Sequence, residues 1–274
     1  MIDLHTHSHF SDGTDSPTEL VRKAEKQKLE AIALCDHNTV AGLPEFMAAG
    51  TGSTVETVPG TELTAEFDNT EVHILALFLP ETQYSAVTRY AEPFRKAKEE
   101  SNRQLFSALV SAGFLLEEQR IFQGSLDYVN RAVFASELTR LGYTASNDEA
   151  FQTLLKPGNG YYFPAPRPDA LETVKFIRSI GAVPVLAHPL DSLTPSQLRE
   201  FLPKAAKAGL QAMETFYSKY AASETALACT LAEEHGLKQA GGSDYHGDRN
   251  PGVLLGTGKG TLSIPRSVLE MLRP

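Results

Sequence analysis

The sequence predicts an α/β protein built on a parallel sheet, open or closed into a barrel, with a small helical insertion. Short apolar runs rich in Ile, Val and Leu alternate with segments of helical periodicity, and such alternation is typical of a parallel sheet. Residues 92–163 break the alternation with helical pattern alone. A chain of 274 residues, 42% of them hydrophobic, is long enough to bury the core of such a fold.

Seven apolar runs are the candidate strands. Each is short and is bounded by polar or turn-forming residues. In chain order they are MIDLHTH, LEAIALCDH, TVETVPGTEL, VHILALFL, AVPVLAHP, GLQAMETF and LKQAGGSDYH.

Several helix ends can also be recognised. Ser16–Glu19 is a capping box with proline at the first helical position, and Thr194 and Ser223 are similar helix starts. Gly181 and Gly236 lie where helices are expected to stop. We therefore expect helices between several of the strands.

The insertion is predicted over residues 92–163, between the body segments 1–91 and 164–274. It contains the helical patterns SNRQLFSALVSAG and AVFASELTRLG and ends in the turn-rich LKPGNGYYFP. It holds eight basic and nine acidic residues, so most of the chain's formal charge of −9 belongs to the body.

Composition argues against several classes of function. A formal charge of −9 does not suit binding to long nucleic acid, which needs a basic surface. We expect a cytoplasmic protein without a membrane partner, because no apolar run is long enough to cross a bilayer and the chain starts without a secretory leader. Cys35 and Cys229, the only two cysteines, lack zinc-ligand spacing and are expected to be core residues.

The histidines are the strongest functional signal. Six of the eight lie at or near the ends of predicted strands: His5, His7, His37, His73, His188 and His246. The carboxyl ends of parallel strands gather at one edge, so these distant residues are expected to converge. His5 and His7 share a face of one strand. His73 is the exception, because it begins its apolar run instead of ending it.

A single histidine beside an apolar run is more often a hydrogen-bonded core residue than a metal ligand. Six at one kind of position, accompanied by Asp12, Glu62 and Asp244, favour a metal site instead. His9 and His235 are excluded, because the first lies in the loop after the first strand and the second at a helix end.

Six segments resemble the successive motifs of the PHP (polymerase and histidinol phosphatase) family: DLHTHSHFSDG, LCDHNTV, GTEL, VHILAL, LAHP and GGSDYHG. The chain most resembles the stand-alone bacterial phosphoesterase branch, and the likeness runs from the first strand to the last. It implies a distorted, TIM-like (β/α) barrel of seven strands, the PHP fold. It also implies a trinuclear metal site that the insertion roofs.

The resemblance further implies which residues bind the three divalent ions. The expected ligands are His5, His7, Glu62 and Asp244 for the first ion, Glu62, His73 and His188 for the second, and Asp12, His37 and His246 for the third. Nitrogen and oxygen donors do not choose strongly among Mn²⁺, Fe²⁺ and Zn²⁺, and we favour manganese. Some relatives carry a histidine at the Asp12 position, so aspartate there favours the nucleotide-processing branch over the histidinol-phosphate branch.

The implied chemistry is hydrolysis of a phosphate ester by a metal-bridging hydroxide. Three divalent ions against three ligand carboxylates leave a local charge of about +3, which favours a phosphate. The candidate catalytic residues are Asp12, Asp244 and His246, and a group of the third ion site is expected to deliver the leaving-group proton. Asp36 is either the partner of a ligand imidazole or a plain polar residue at a strand end.

Three cationic residues are candidates for binding the substrate phosphate. By the resemblance, Arg131 precedes a helix of the insertion and clamps a phosphate bidentately. Lys156, in LKPGNG, and Lys219, in FYSKY, either reach the same phosphate or lie on the surface. Tyr161 and Tyr217 are either base-stacking platforms or packed loop residues.

Three functions remain open. The first is a phosphoesterase for a nucleotide or short oligonucleotide, such as a nucleoside 3′,5′-bisphosphate phosphatase or a 5′-to-3′ exonuclease on short RNA. The second is a phosphatase for a small metabolite such as histidinol phosphate. The third is a metal-binding module without catalysis, or a metal-dependent amidohydrolase. The expected partner in the first two is a phosphorylated small molecule or short oligonucleotide.

Overall fold

The computed structural model describes residues 1–122 and 129–274, and the chain divides into two compact units. Unit 1 comprises Met1–Arg89 and Pro168–Pro274, and unit 2 comprises Tyr90–Arg167. The predicted insertion, residues 92–163, falls within the range of unit 2. Among the described residues, no helix combines the length and the apolar character needed to span a membrane.

Unit 1 is built on a seven-stranded sheet whose strands pair in chain order. The strands are β1 (Ile2–Thr6), β2 (Ala31–Leu34), β3 (Glu56–Phe67), β4 (Thr70–Leu77), β5 (Val183–Leu186), β6 (Ala212–Tyr217) and β7 (Lys238–Gly242). A parallel bridge between Thr6 and Tyr245 joins the two edges, so the sheet is nearly closed into a barrel. The predicted barrel of seven strands is therefore confirmed.

The reversed strand β4 is the main departure from a parallel sheet. It pairs antiparallel with both β3 and β5, whereas all other neighbouring strands are parallel. β3 and β4 are joined at Asp68 and Asn69, whose φ angles of 47° and 58° are those of a two-residue hairpin turn. A hairpin forces the next strand to run backwards, and an apolar run looks the same in either direction.

The helices begin and end close to the predicted signals. In chain order they are α1 (Pro17–Lys26), α2 (Leu43–Gly50), α3 (Tyr84–Ser111), α4 (Glu118–Ile121), α5 (Arg131–Arg140), α6 (Asn147–Gln152), α7 (Ala170–Ser179), α8 (Pro189–Ser192), α9 (Pro195–Ala208), α10 (Ala222–Glu234) and α11 (Arg266–Leu272). Ser16 and Thr194 form the predicted capping boxes. The predicted start at Ser223 is wrong, because Glu224 accepts a hydrogen bond from the Ala221 N–H and the helix begins at Ala222.

Each unit has an apolar core of its own. In unit 1, Leu269 of α11 is fully buried in the same cluster as the inward residues of the strands. In unit 2, Phe134 of α5 packs with Leu105 of α3. Cys35 is buried in the core of unit 1, Cys229 is half-buried, and both thiols are free.

Candidate metal centre

The nine predicted metal ligands all belong to unit 1, and the structure brings them together at one edge of the barrel. Their ligand atoms form four overlapping groups, within each of which the atoms lie within 4.8 Å of one another. The groups are His7, Asp12, His37 and His246; His5, His7 and Asp244; His5, Glu62 and His188; and His37, Glu62 and His73. We call these nine residues the ligand cluster.

His73 joins the ligand cluster because β4 runs antiparallel to its neighbours. It lies opposite Thr64 in the β3–β4 register, and its carbonyl accepts a 3.0 Å hydrogen bond from the N–H of Ala187, just beyond the end of β5. The start of β4 therefore lies beside the ends of the strands that flank it. The reversal explains the one histidine that begins its apolar run.

Glu62 is the centre of the ligand cluster. Its buried carboxylate faces five imidazoles, with each oxygen directed to a different set. Oε1 lies 3.0 Å from His73 Nδ1 and 3.1 Å from His188 Nε2. Oε2 lies 3.0 Å from His37 Nδ1, 3.3 Å from His5 Nε2 and 3.4 Å from His7 Nε2. Glu62 therefore links the two sides of the ligand cluster and would contribute to holding divalent cations there.

Asp12 and Asp244 are the other two carboxylates of the ligand cluster, and each faces an imidazole. Asp12 Oδ1 lies 3.2 Å from His246 Nε2, and Asp244 Oδ1 lies 3.2 Å from His7 Nε2. Asp244 and His188 both adopt left-handed backbone conformations, with φ of 57° and 30°. Non-glycine residues hold such strained conformations mainly at functional sites, where the surrounding structure enforces them.

The donor atoms of the ligand cluster have few partners within the protein. Among the described residues, nine buried side-chain nitrogen or oxygen atoms make no hydrogen bond, and eight of them belong to the cluster. Buried polar atoms without partners are costly. Divalent cations would occupy these atoms, and imidazole with carboxylate suits Mn²⁺, Fe²⁺ and Zn²⁺. The residues present therefore fit the metal ions that the resemblance implies.

Proximity within the ligand cluster shifts pKa values in opposite directions. Burial opposes ionisation of Glu62, but the neighbouring imidazoles, His37 foremost, hold the pKa of this carboxyl well below its usual range. Burial also opposes protonation of His73, yet the Glu62 carboxylate raises the pKa of His73 to about 10. Burial, reinforced by His246, lowers the pKa of His7 to about 3. Without metal, His7 is therefore neutral and His73 carries a proton that a cation must displace.

Glu214 is a buried residue of this site that the sequence analysis missed. In the structure its Oε1 lies 3.0 Å from His5 Nδ1, and its Oε2 accepts a 2.7 Å hydrogen bond from the His188 N–H. The only signal in the sequence is a carboxylate inside an apolar run, AMETF. Its partners come from other strands, so the run itself does not reveal them.

Asp36 supports the loop that carries Asp12. It accepts hydrogen bonds from the Ser8 N–H at 2.8 Å, from the Ser8 hydroxyl at 2.7 Å and from the Ser11 hydroxyl at 2.6 Å. The prediction that Asp36 is the partner of a ligand imidazole is wrong, because both oxygens of its carboxylate accept hydrogen bonds from Ser8 and Ser11.

Tyr217 is a further contact of the ligand cluster. Its hydroxyl donates a 2.9 Å hydrogen bond to Asp244 Oδ2, and its ring lies against the His188 ring. Only 3% of the residue is exposed. The base-stacking interpretation of Tyr217 is therefore wrong. Tyr161 is partly buried against the core of unit 2.

The three candidate phosphate-binding residues are divided between the two units, one in unit 1 and two in unit 2. Lys219, in unit 1, pairs with Asp191 at 2.8 Å. Arg131 is the first residue of α5 in unit 2, and its guanidinium lies 4.8 Å from the ring centroid of Tyr162. Lys156 is exposed in unit 2. Their role in phosphate binding stays a prediction.

The model of one protein family, described as the PHP domain, matches residues 3–150, which include six of the nine residues of the ligand cluster. The chain belongs to the PHP domain family. The family predicted from the six sequence motifs is confirmed.

Curated relatives and a solved structure resemble nearly the whole chain. A 5′-3′ exoribonuclease from Haemophilus influenzae is 28% identical over 89% of both chains. A 3′,5′-nucleoside bisphosphate phosphatase from Chromobacterium violaceum is 26% identical over 93% of this chain and 90% of that protein. A candidate metal-dependent phosphoesterase from Bifidobacterium adolescentis has a TM-score of 0.80 at 26% identity, covering 99% of this chain and 94% of its own. These PHP proteins support the predicted stand-alone branch.

Proposed function

We propose that this PHP protein is a metal-dependent phosphoric ester hydrolase that acts on a nucleotide or short oligonucleotide, such as a nucleoside 3′,5′-bisphosphate. The family and the names of the relatives bear out the enzyme class, a phosphatase or phosphodiesterase. The observation that carries the proposal is the set of eight buried nitrogen and oxygen atoms of the ligand cluster that make no hydrogen bond. The nucleotide substrate is supported by the two curated relatives, which are named for RNA and for nucleoside bisphosphates.

The ligand cluster would hold three divalent ions in the arrangement that the resemblance implies. The ligand sets would be His5, His7, Glu62 and Asp244; Glu62, His73 and His188; and Asp12, His37 and His246. Divalent ions bound there supply the activation of water and the neutralisation of charge on the phosphate and its leaving oxygen. Manganese is our first choice, and iron and zinc fit the same donors.

The residues of the ligand cluster differ in their access to solvent, which indicates where the substrate enters. The side chains of His5, His7 and Glu62 are fully buried, whereas five others are between 16% and 18% exposed: Asp12, His37, His73, Asp244 and His246. A phosphate ester would therefore approach over these five side chains. Asp12 Oδ1 and His246 Nε2 lie 3.2 Å apart, and one of these two residues would deliver the proton that the leaving oxygen needs.

Phosphate release by the metal-reconstituted protein tests the proposal. The protein is assayed with Mn²⁺, Zn²⁺ or a chelator on nucleoside 3′,5′-bisphosphates, 5′-mononucleotides, short RNA, histidinol phosphate and an acyl-amino acid. We expect release from the bisphosphate that the chelator abolishes, and 5′-nucleotides from short RNA if the exonuclease activity is present. The His5→Ala variant is the control for contaminating phosphatases.

The other outcomes identify the alternative functions. Activity on histidinol phosphate alone would assign the protein to small-metabolite hydrolysis, and cleavage of the acyl-amino acid would make it an amidohydrolase. No turnover of any substrate, with bound metal verified, would indicate a metal-binding module without catalysis.

A further inference from the structure

Glu214 is a buried carboxylate that the predicted ligand set leaves without a role. It lies in β6 and is fully buried, as are the adjacent residues Met213 and Thr215. A buried charge is tolerated only where its oxygens are occupied by donors. Both oxygens of Glu214 are occupied, and both partners, His5 and His188, belong to the ligand cluster.

Irregular strand pairing accompanies the contact between Glu214 and His5. The β6–β7 register shifts between Glu214 and Phe216, and the β1–β2 register shifts between Asp3 and Thr6, a stretch that contains His5. An extra residue in one strand re-aims the side chains around it. Two such irregularities accompany a contact between side chains that lie 209 positions apart in the chain.

The first oxygen of Glu214 determines which nitrogen of His5 is free to bind a cation. A carboxylate can only accept, so His5 Nδ1 must carry the proton in this hydrogen bond. In the neutral imidazole, the form that binds a cation, the lone pair is then on Nε2, which lies 3.3 Å from Glu62 Oε2 and 3.6 Å from Asp244 Oδ1 and makes no hydrogen bond. Glu214 thereby presents the lone pair of His5 to the ligand cluster.

The second oxygen of Glu214 holds the main chain of His188. This residue has φ 30° and ψ 54°, a left-handed conformation that is unfavourable for any residue with a side chain. The hydrogen bond from its N–H to Glu214 Oε2 stabilises that conformation. His188 Nε2 then lies 3.1 Å from Glu62 Oε1.

We propose that Glu214 is a positioning residue that sets the affinity of the ligand cluster for divalent cations, because it fixes the His5 tautomer and the His188 main chain together. The inference rests on the proposed function only in requiring that the cluster bind metal, and the identity of the substrate does not enter. Replacing a hydrogen-bond partner of a metal-binding histidine typically lowers metal affinity or activity by roughly 10-fold to 100-fold.

The variant Glu214→Gln cannot keep both contacts, because an amide has one accepting end and one donating end. With its oxygen toward His5, the NH₂ group opposes the His188 N–H, and two donors face each other. With its oxygen toward His188, the NH₂ group faces His5 Nδ1 and moves the ring proton to Nε2. Either orientation removes one of the two contacts.

Glu56→Gln is the matched control in the same unit. Glu56 lies at the amino end of β3, and its two oxygens accept hydrogen bonds from Arg273 at 2.6 Å and Arg266 at 2.7 Å. We expect both variants to lower the melting temperature. Only Glu214→Gln should weaken Mn²⁺ and Zn²⁺ binding, by roughly 10-fold to 100-fold in competition with a chelator, and alter the absorption spectrum of the Co²⁺-loaded protein.

Equal metal affinity in the two variants would overturn the proposal and leave Glu214 a packing role. If Glu214→Gln does not fold, side-chain ¹H–¹⁵N correlations of His5 in the zinc-loaded wild-type protein decide instead. A proton on Nδ1 is expected, and an unprotonated Nδ1 would refute the inference. Metal binding is measured without substrate, so a failure of the proposed hydrolysis is distinguishable from a failure of this proposal.

Discussion

The two ends of the barrel differ in how their buried groups are accommodated. The carboxyl end contains the ligand cluster, with eight buried atoms that have no hydrogen-bond partner and two ligands in left-handed conformations. At the amino end, Ile264 pairs with Ile2, and Leu269 is buried in the apolar core. Without metal, the first arrangement costs stability, whereas the second provides it. Substitutions at the two ends should therefore have separable effects on metal binding and on folding.

The largest expected effect is at the carboxyl end. His5→Ala and Asp244→Ala each remove a proposed ligand, and we expect both to release metal and to lower kcat/KM by roughly 10²-fold to 10⁴-fold, the magnitude of metal charge stabilisation. Metal analysis and initial rates measure this, with His235→Ala, at a helix end outside the cluster, as the control. Full activity in His5→Ala would contradict the site assignment.

The second effect, at the amino end, should appear in stability alone. Leu269→Ala removes a fully buried side chain from the core, so we expect the free energy of unfolding to fall by about 2–5 kcal/mol. Metal content per folded protein should stay at the wild-type value. Denaturant titration and metal analysis of the same sample test this, and loss of metal from folded protein would show that the two ends are coupled.

A smaller effect, on KM, is expected from a substitution in unit 2, outside the barrel. If Arg131 clamps the substrate phosphate, Arg131→Ala should raise KM by roughly 10-fold to 100-fold, the value of hydrogen bonds to a charged group. Metal content should not change. Steady-state kinetics on the preferred phosphorylated substrate measure this, and Arg131→Lys tests whether bidentate geometry or charge alone matters. An unchanged KM would leave Arg131 only its aromatic contacts.

The smallest effect concerns the hydrogen bond between Tyr217 and Asp244. Tyr217→Phe removes only the hydroxyl, so Asp244 loses one partner and we expect metal affinity to fall by about 10-fold, the value of one hydrogen bond to a charged group. Chelator competition measures the change. Tyr220→Phe is the control, because its hydroxyl accepts from the Leu190 N–H outside the ligand cluster. Equal affinities in the two variants would contradict this role.

Features that depend on local sequence were predictable, and those that depend on tertiary contacts were not. The capping box at Ser16 is a local pattern of four residues, so the sequence revealed it. The reversal of β4 depends on a two-residue turn at Asp68 and Asn69, and the apolar run that follows is the same for either direction. The fold was therefore predicted in its elements, and the direction of one strand was not.

The same division applies to the candidate site. The predicted ligands were recognisable because their residue types and strand-end positions repeat along the chain, and the structure places all of them in one cluster. Glu214 and Tyr217 were not recognisable in these roles, because their partners His5, His188 and Asp244 lie on or just beyond other strands. Lys219 was predicted either to reach the substrate phosphate or to lie on the surface, and its ion pair with Asp191, 28 positions away, appears only in the fold.

The closure between the first and last strands has a consequence for folding kinetics. The Ser243 N–H donates to Asp3 Oδ1 across 240 positions, and the ligands His5 and Asp244 flank this contact. Contacts between residues so distant in the chain form slowly, because a long loop must close before they can stabilise anything. We therefore expect the ligand cluster to reach the geometry that binds metal late in folding. A metal-sensitive dye in a refolding experiment would report the moment at which the two ends of the chain meet.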